Sequence, residues 1–236
     1  MPRVTALLVL VLAAMSAFGP LATDMYLPAF PAIAAGLAAD PAAVQKTLAT
    51  FFAGMAIAQL VFGPLADRFG RRPPLLVGLG IFVTGSIGCA LTADIGWLTV
   101  WRFVQGLGGC AGMVMARAIV RDVTEGPATI RLMSRLMLVV TLAPILAPSI
   151  GSLLLGLGGW RAIFWALVAY GTGLAVVVSL VLPETLAPER RRRDSLGGIL
   201  MVYLRMLTSR RFMGLVLSGV LPMAGMFAYI AGSPFV

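Results

Sequence analysis

The sequence predicts an all-α polytopic membrane protein, and three observations carry that prediction. The first is composition: 60% of the 236 residues are hydrophobic and 11% are charged, with a mean hydropathy of +0.99. Water-soluble domains carry about twice that share of charge. The second is that the apolar residues come in runs of about 20, the length that crosses the hydrocarbon core of a bilayer. The third is where the arginines fall. Arg3, the turn at 68–72, the loop at 117–135 and the stretch at 190–211 hold most of them, while the intervening loops hold little beyond Lys46 and Arg161. Basic loops in alternation follow the positive-inside rule, which puts the N-terminus, the 68–72 turn and the 190–211 stretch in the cytoplasm. The net charge of +9 is then topological, and no nucleic acid is needed as a partner.

Composition also removes whole classes of chemistry. With no histidine and a single lysine, Lys46, the chain lacks His-based catalysis, His metal ligation and a phosphate-cradling GxxxxGK[ST] loop. Cys89 and Cys110 fall inside apolar runs, where a thiol acts as a small packed hydrophobe. No catalytic residue, metal or cofactor is assigned.

Taken in order, residues 4–23 form an apolar run behind Arg3. It is too long for the core of a secretory signal and continues past Asp24 as MYLPAFPAIAAGLA, so it reads as a first spanning helix. Asp40 followed by Pro41 reads as an N-cap and first-turn proline opening a second span. That span is apolar over 45–66 and ends at GPLADRFGRR, where Gly63, Pro64 and Gly70 are expected to break the helix. A third span covers about residues 75–93, with Asp94, Gly96 and Trp97 forming a tight turn after it. The fourth, about 97–118, contains Arg102 and Gln105. Its Gly108, Gly112 and Ala116 recur every four positions and predict a smooth stripe for close helix packing. The loop after it, with Arg121, Asp122, Glu125, Arg131 and Arg135, reads as a solvated connection.

The fifth span, about 132–156, places Pro144, Pro148 and Gly151 on roughly one face, and prolines at that depth predict a bent helix held against a protein neighbour. After Gly158, Gly159, Trp160 and Arg161, a sixth span runs to about Leu182 and is ended by Pro183 and Glu184. The stretch 184–211 sets Leu196, Ile199, Leu200, Tyr203, Leu204 and Leu207 at helical intervals beside an arginine cluster. That pattern predicts an amphipathic helix on the cytoplasmic face, in contact with anionic lipid. A seventh apolar run starts near Phe212. The organisation is therefore a six-helix bundle over 1–183, a basic linker over 184–211 and the start of a seventh spanning helix over 212–236.

Several of these residues fall on known patterns. Gly63, Leu65, Asp67, Arg68, Gly70, Arg71 and Arg72 resemble, in register, the signature loop GxLaDrxGrr of the major facilitator superfamily. Arg102, Gln105 and Gly106 resemble that superfamily's RxxQG motif in its fourth helix. Pro148 and Gly151 fall where its antiporter motif, roughly GPxxGG, would lie, although Ala147 and Ser152 replace glycines there. ATDMYLPAFP, from Ala22 to Pro31, is similar to the bicyclomycin and chloramphenicol resistance (Bcr/CflA) branch of drug exporters. The resemblance implies the six-helix N-terminal half of a major facilitator fold plus a truncated seventh helix. It further implies a proton-coupled antiporter of drugs or other small organic molecules in the cell (inner) membrane. The missing C-terminal half, or a second copy of this chain, would supply the other wall of the substrate path.

Asp24 and Arg102 are the two charges least easily explained as loop residues. A charge at helix depth costs several kcal/mol and faces a cavity or a partner. Each also sits at the helix end whose dipole disfavours it. The expectation is that a proton and a substrate compete at or near Asp24, with Arg102 and Gln105 tuning the site. The opposing reading makes Asp24 interfacial and lets Arg102 snorkel to headgroups beside Trp97 and Trp101. The resemblance implies a gating role for Gly63, Asp67, Arg68, Gly70, Arg71 and Arg72, and a packing role for Pro144, Pro148 and Gly151. Tyr26, Phe51, Phe52, Met55 and Met113 are candidates to line an adaptable apolar cavity. Two further readings stay open: a metabolite uptake transporter of the same fold, and a half that transports nothing by itself.

Overall fold

The computed structural model describes residues 5–191, 201, 203 and 205–232, with 226–232 described as backbone only. Helices dominate, and they fall into two units, residues 1–191 and 192–236. In the first unit, α1 (Ala6–Asp24) is capped by Thr5, whose hydroxyl accepts from the Leu8 amide at 3.2 Å. A 3-10 turn at Leu27–Ala29 leads into the short α2 (Phe30–Gly36), and together they make one traverse of 31 residues. Next come α3 (Pro41–Phe69), α4 (Arg72–Leu91), α5 (Ile95–Val123) and α6 (Pro127–Val181). As the sequence suggests, Asp40 and Pro41 open α3. Asp94, expected in a tight turn with Gly96 and Trp97, instead caps α5, its carboxylate accepting from the Trp97 amide at 3.0 Å, and Gly96 and Trp97 lie inside that helix.

Helix α6 is two spans joined end to end. Gly158 (φ −151°, ψ 19°) and Gly159 (φ 70°, ψ −176°) leave helical geometry and divide it into arms 127–157 and 160–181. The positive φ at Gly159 is open to glycine at little cost. The second arm runs antiparallel to α4: Arg161 Nη2 donates to the Thr92 carbonyl at 2.9 Å at one end, and Arg72 donates to the Ser179 carbonyl at the other. The expected six traverses are therefore present. In the second unit, α7 (Arg210–Gly232) corresponds to the seventh apolar run. Of the predicted amphipathic helix, Leu196, Ile199, Leu200 and Leu204 lie outside the described residues.

The core forms around α5, which packs on α1, α3 and α4 at backbone distance. A Cβ on Gly106 would lie 2.1 Å from the Phe51 carbonyl of α3, one on Gly108 2.3 Å from the Phe82 nitrogen of α4, and one on Gly112 2.6 Å from the Met15 carbonyl of α1. This corrects the reading of one smooth stripe for one partner, because Gly108 and Gly112 serve two different helices.

Two other expectations are corrected. Gly63 and Pro64 lie inside α3, which continues to Phe69, so only Gly70 (φ 97°) ends the helix. A proline removes one intrahelical bond without stopping a long apolar helix whose neighbouring turns are intact. In the first arm of α6 the buried face is Leu132, Leu136, Ala143, Ala147 and Gly151, whereas Pro144 is exposed and Pro148 half-buried. Helical dihedrals run through both prolines. The close contact is made by Gly151 against the turn just after α1, where a Cβ would lie 2.2 Å from the Met25 carbonyl.

Backbone-distance packing predicts a sharp contrast between glycines. In thermal unfolding in detergent, Gly106→Ala is expected to destabilise the chain by about 1–3 kcal/mol through overpacking. At Gly80, where an added Cβ would meet no neighbouring atom within 4 Å, alanine should be accepted with no loss.

Candidate functional site

Two polar centres stand out from the apolar bundle, one deep and one at the end where α3 meets α4. The deep centre is built on Arg102, the largest side chain with no solvent exposure (0%). Its guanidinium lies 4.3 Å from the ring centroids of both Tyr26 and Phe51, and 6.0 Å from that of Phe164. Nη1 donates to Gln105 Oε1 and, at 3.3 Å, to the Ala22 carbonyl of α1. Gln105 passes the chain on, its Nε2 donating to Ser86 Oγ at 2.7 Å, and Ser86 in turn donates to the Phe82 carbonyl at 2.8 Å. Tyr26 is fixed by a 2.6 Å hydrogen bond between its hydroxyl and Thr47 Oγ1.

Arg102 does not snorkel. It is enclosed by α1, α3, α4, α5 and the second arm of α6, and the π faces of Tyr26 and Phe51 replace part of its hydration. Arg102 Nε and Nη2 have no hydrogen-bond partner. Buried donors without partners are costly and call for a reason. Asp24, the last residue of α1, is half-buried and stands two residues after Ala22. Among the described residues the ion pairs are Arg71 with Asp67 and Arg71 with Asp122, so Asp24 and Arg102 are not paired in this conformation.

The second centre is organised by Arg71. Its Nη1 donates to Asp67 Oδ1 at 2.7 Å, and Nε and Nη2 grip the two oxygens of Asp122 at 2.8 and 3.3 Å. Thr185 Oγ1 donates to the same Asp122 at 3.1 Å. The Glu184 carboxylate accepts from the Arg71 and Arg72 amides at 2.8 and 3.2 Å. Burial pushes the Glu184 carboxyl up, but the amides of Arg71, Leu186 and Arg72 and the charge of Arg191 outweigh it and hold the group below the usual carboxylate range. Arg68 stacks on Phe69 at 5.6 Å. A cavity of about 370 Å³ opens between α3 and α5 here, lined by Gly63, Asp67, Arg71, Arg117, Arg121 and Asp122 among others.

Of the residues singled out by sequence, Arg102 joins Gln105, and Asp67 joins Arg71. Gly63, Arg68, Gly70 and Arg72 surround the second centre, while Pro144, Pro148 and Gly151 lie apart from both. Sequence reasoning misses Asp122, which reads as part of a solvated loop, and Glu184, which reads as a helix end. It also misses Ser86 and gives Tyr26 and Phe51 a cavity-lining role, whereas they are the walls around Arg102. One signal is available: with nine acidic residues against eighteen basic ones, a carboxylate at the basic end of the bundle has partners close by.

The sequence profile of the Major Facilitator Superfamily matches residues 8–236. Over 231 residues the chain is 41% identical to an uncharacterized MFS-type transporter, YdgK, of Bacillus subtilis, covering 97% of this chain and 58% of that protein. It is 35% identical over 230 residues to a bicyclomycin resistance protein homolog of Haemophilus influenzae, with coverage of 97% and 58%. Among solved structures, a proton:xylose symporter, XylE, superposes with a TM-score of 0.67 at 14% identity, covering 76% of this chain and 45% of that one. The fold is shared, and the chain spans 58% of the length of these curated relatives.

Arg102→Met tests what the deep centre is for. Methionine fills similar space and removes two unmet donors, but it also takes away the donor to buried Gln105 Oε1, so the two effects offset and the expected stability is within about 2 kcal/mol of the parent. A loss of several kcal/mol in detergent unfolding would mean that Arg102 is chiefly a fastening of the fold.

Proposed function

Because the chain belongs to the Major Facilitator Superfamily, we propose that it supplies the N-terminal half of a proton-coupled exporter of drugs or other small organic molecules. The other half is a C-terminal bundle or a second copy of this chain. The observation that carries the reading is the buried Arg102 with two unmet donors, bonded to the Ala22 carbonyl two residues before Asp24. A buried cation without a carboxylate is a site waiting for negative charge.

In the proposed cycle, ionised Asp24 moves toward Arg102 and takes the place now held by the Ala22 carbonyl. Protonation of Asp24 cancels the attraction and frees α1 to return. A substrate that binds from the cytoplasm displaces the proton to that side, and then leaves on the side from which the proton entered. Gln105 keeps the guanidinium oriented throughout, through its bond to Ser86. At the other end, Asp67 and Arg71 latch the bundle in one of two arrangements, and the cavity beside Asp67 receives a helix of the second half. The export reading and the drug class are supported by the relative named as a bicyclomycin resistance protein homolog. The host membrane in this reading is the inner membrane, and the arginine-rich end faces the cytoplasm.

The test uses the complete transporter, reconstituted in vesicles with an imposed pH gradient and bicyclomycin as first probe. Asp24→Asn is expected to abolish proton-driven efflux while leaving the protein inserted, and undiminished efflux would refute the coupling role. Asp67→Asn should slow or abolish exchange with insertion intact. Normal rates in that variant would remove the turn from the gating scheme.

A further inference from the structure

Helix α4 starts without a cap of its own. Arg71 occupies the N-cap position with no side-chain hydrogen bond to the helix, and Pro73 and Pro74 follow Arg72 and offer no N–H. The first exposed donors are therefore the backbone amides of Arg71 and Arg72, at the positive end of the helix dipole. Both are met by Glu184, which lies 112 and 113 residues away in sequence. Its Oε1 also accepts from the Leu186 amide at 3.0 Å, folding its own segment over the site. Leu182 and Leu186, on either side, are 2% and 5% exposed, which anchors that segment in the core.

Gly70 completes the fit. A Cβ there would lie 2.4 Å from Glu184 Oε2, so the missing side chain is the room the carboxylate occupies. Thr185, the next residue, donates to Asp122, the carboxylate that also holds the Arg71 guanidinium. The pair Glu184–Thr185 thus reaches Arg71 twice, directly at its backbone amide and, through Asp122, at its side chain. We propose that Glu184 is a positioning residue for the turn: an ionised carboxylate, delivered from the exit of α6, that caps α4 and sets Arg71 against Asp67 and Asp122. It ties the geometry of the turn to the chain segment that leads into the basic linker. The proposal rests on the gating role given to the turn above.

The charged groups facing Glu184 are Arg71 and Arg72 of α4, Arg191 of its own segment and, through Arg71 and Thr185, Asp67 of α3 and Asp122 of α5. Because the folded carboxyl is held below its ordinary value, its contribution is complete above the ordinary carboxylate range. That contribution fades as pH falls through the lowered value.

The experiment is amide hydrogen exchange of the 236-residue chain in detergent micelles, read on peptides spanning the turn and corrected for intrinsic exchange rates. Glu184→Gln is expected to speed exchange at the Arg71 and Arg72 amides by about tenfold or more, with α5 unchanged. Glu184→Asp, one methylene shorter, should fall between the two and serves if the glutamine variant does not fold. In the parent, protection of these amides should fall as the solution is acidified, and in Glu184→Gln that response should be lost. Unchanged protection in Glu184→Gln, or an equal acid response in it, would overturn the proposal. If exchange rises as expected but efflux by the complete transporter carrying Glu184→Gln is normal, the cap stands and the gating reading fails.

Discussion

The close approach of α5 to its neighbours is the constraint on which the rest of this structure depends. Gly106, Gly108 and Gly112 bring its backbone against α3, α4 and α1, and the space left between the helices is too narrow for bulk water. Every polar group inside must then be met by protein, and most are. Ser16, Thr47, Ser86 and Gln105 each find a partner. Among the described residues deep in the bundle, Arg102 stands apart, shielded by rings, the Gln105 amide and the Ala22 carbonyl but left with two unmet donors. The same packing that makes the bundle tight makes this cation conspicuous, and a conspicuous buried charge is where a moving proton has leverage.

The two ends of the bundle are fastened differently. Opposite the turn, Arg161 donates to a backbone carbonyl and stacks on Trp160 at 4.1 Å, contacts that do not depend on any carboxylate. At the turn, Arg71, Asp67, Asp122 and Glu184 form one connected set of charges. Such a set is stable when complete and weak once one member is neutralised or withdrawn. An end held by charge can be released by charge, which suits a gate.

The spans were legible because bilayer length and hydropathy are local properties, and the start of α3 at Asp40 and Pro41 because helix-opening residues act locally too. Other features were not. Pro64 looks like a helix breaker and Pro144 like a bend in sequence, yet a long apolar helix absorbs the loss of a single bond; α3 ends at Gly70 and α6 divides at Gly158 and Gly159, with positive φ at Gly70 and Gly159. Asp122 and Glu184 carry no local sign of their role beyond lying at the basic end of the bundle, because their partner lies 51 and 113 residues away. Arg102 was recognisable as unusual from its depth in an apolar run. Its ring neighbours Tyr26 and Phe51 come from the turn after α1 and from α3, and no spacing announces them.

The central claim is that a proton and a substrate exclude one another at Asp24, with Arg102 holding the balance. Proton release on ligand binding measures this most directly: the exported drug is added to purified complete transporter in lightly buffered detergent solution, and the pH change is followed with an indicator dye. The account predicts that protons appear in step with drug bound, and that raising the starting pH until Asp24 is already ionised removes the release. Drug binding that releases no protons at any starting pH would contradict it.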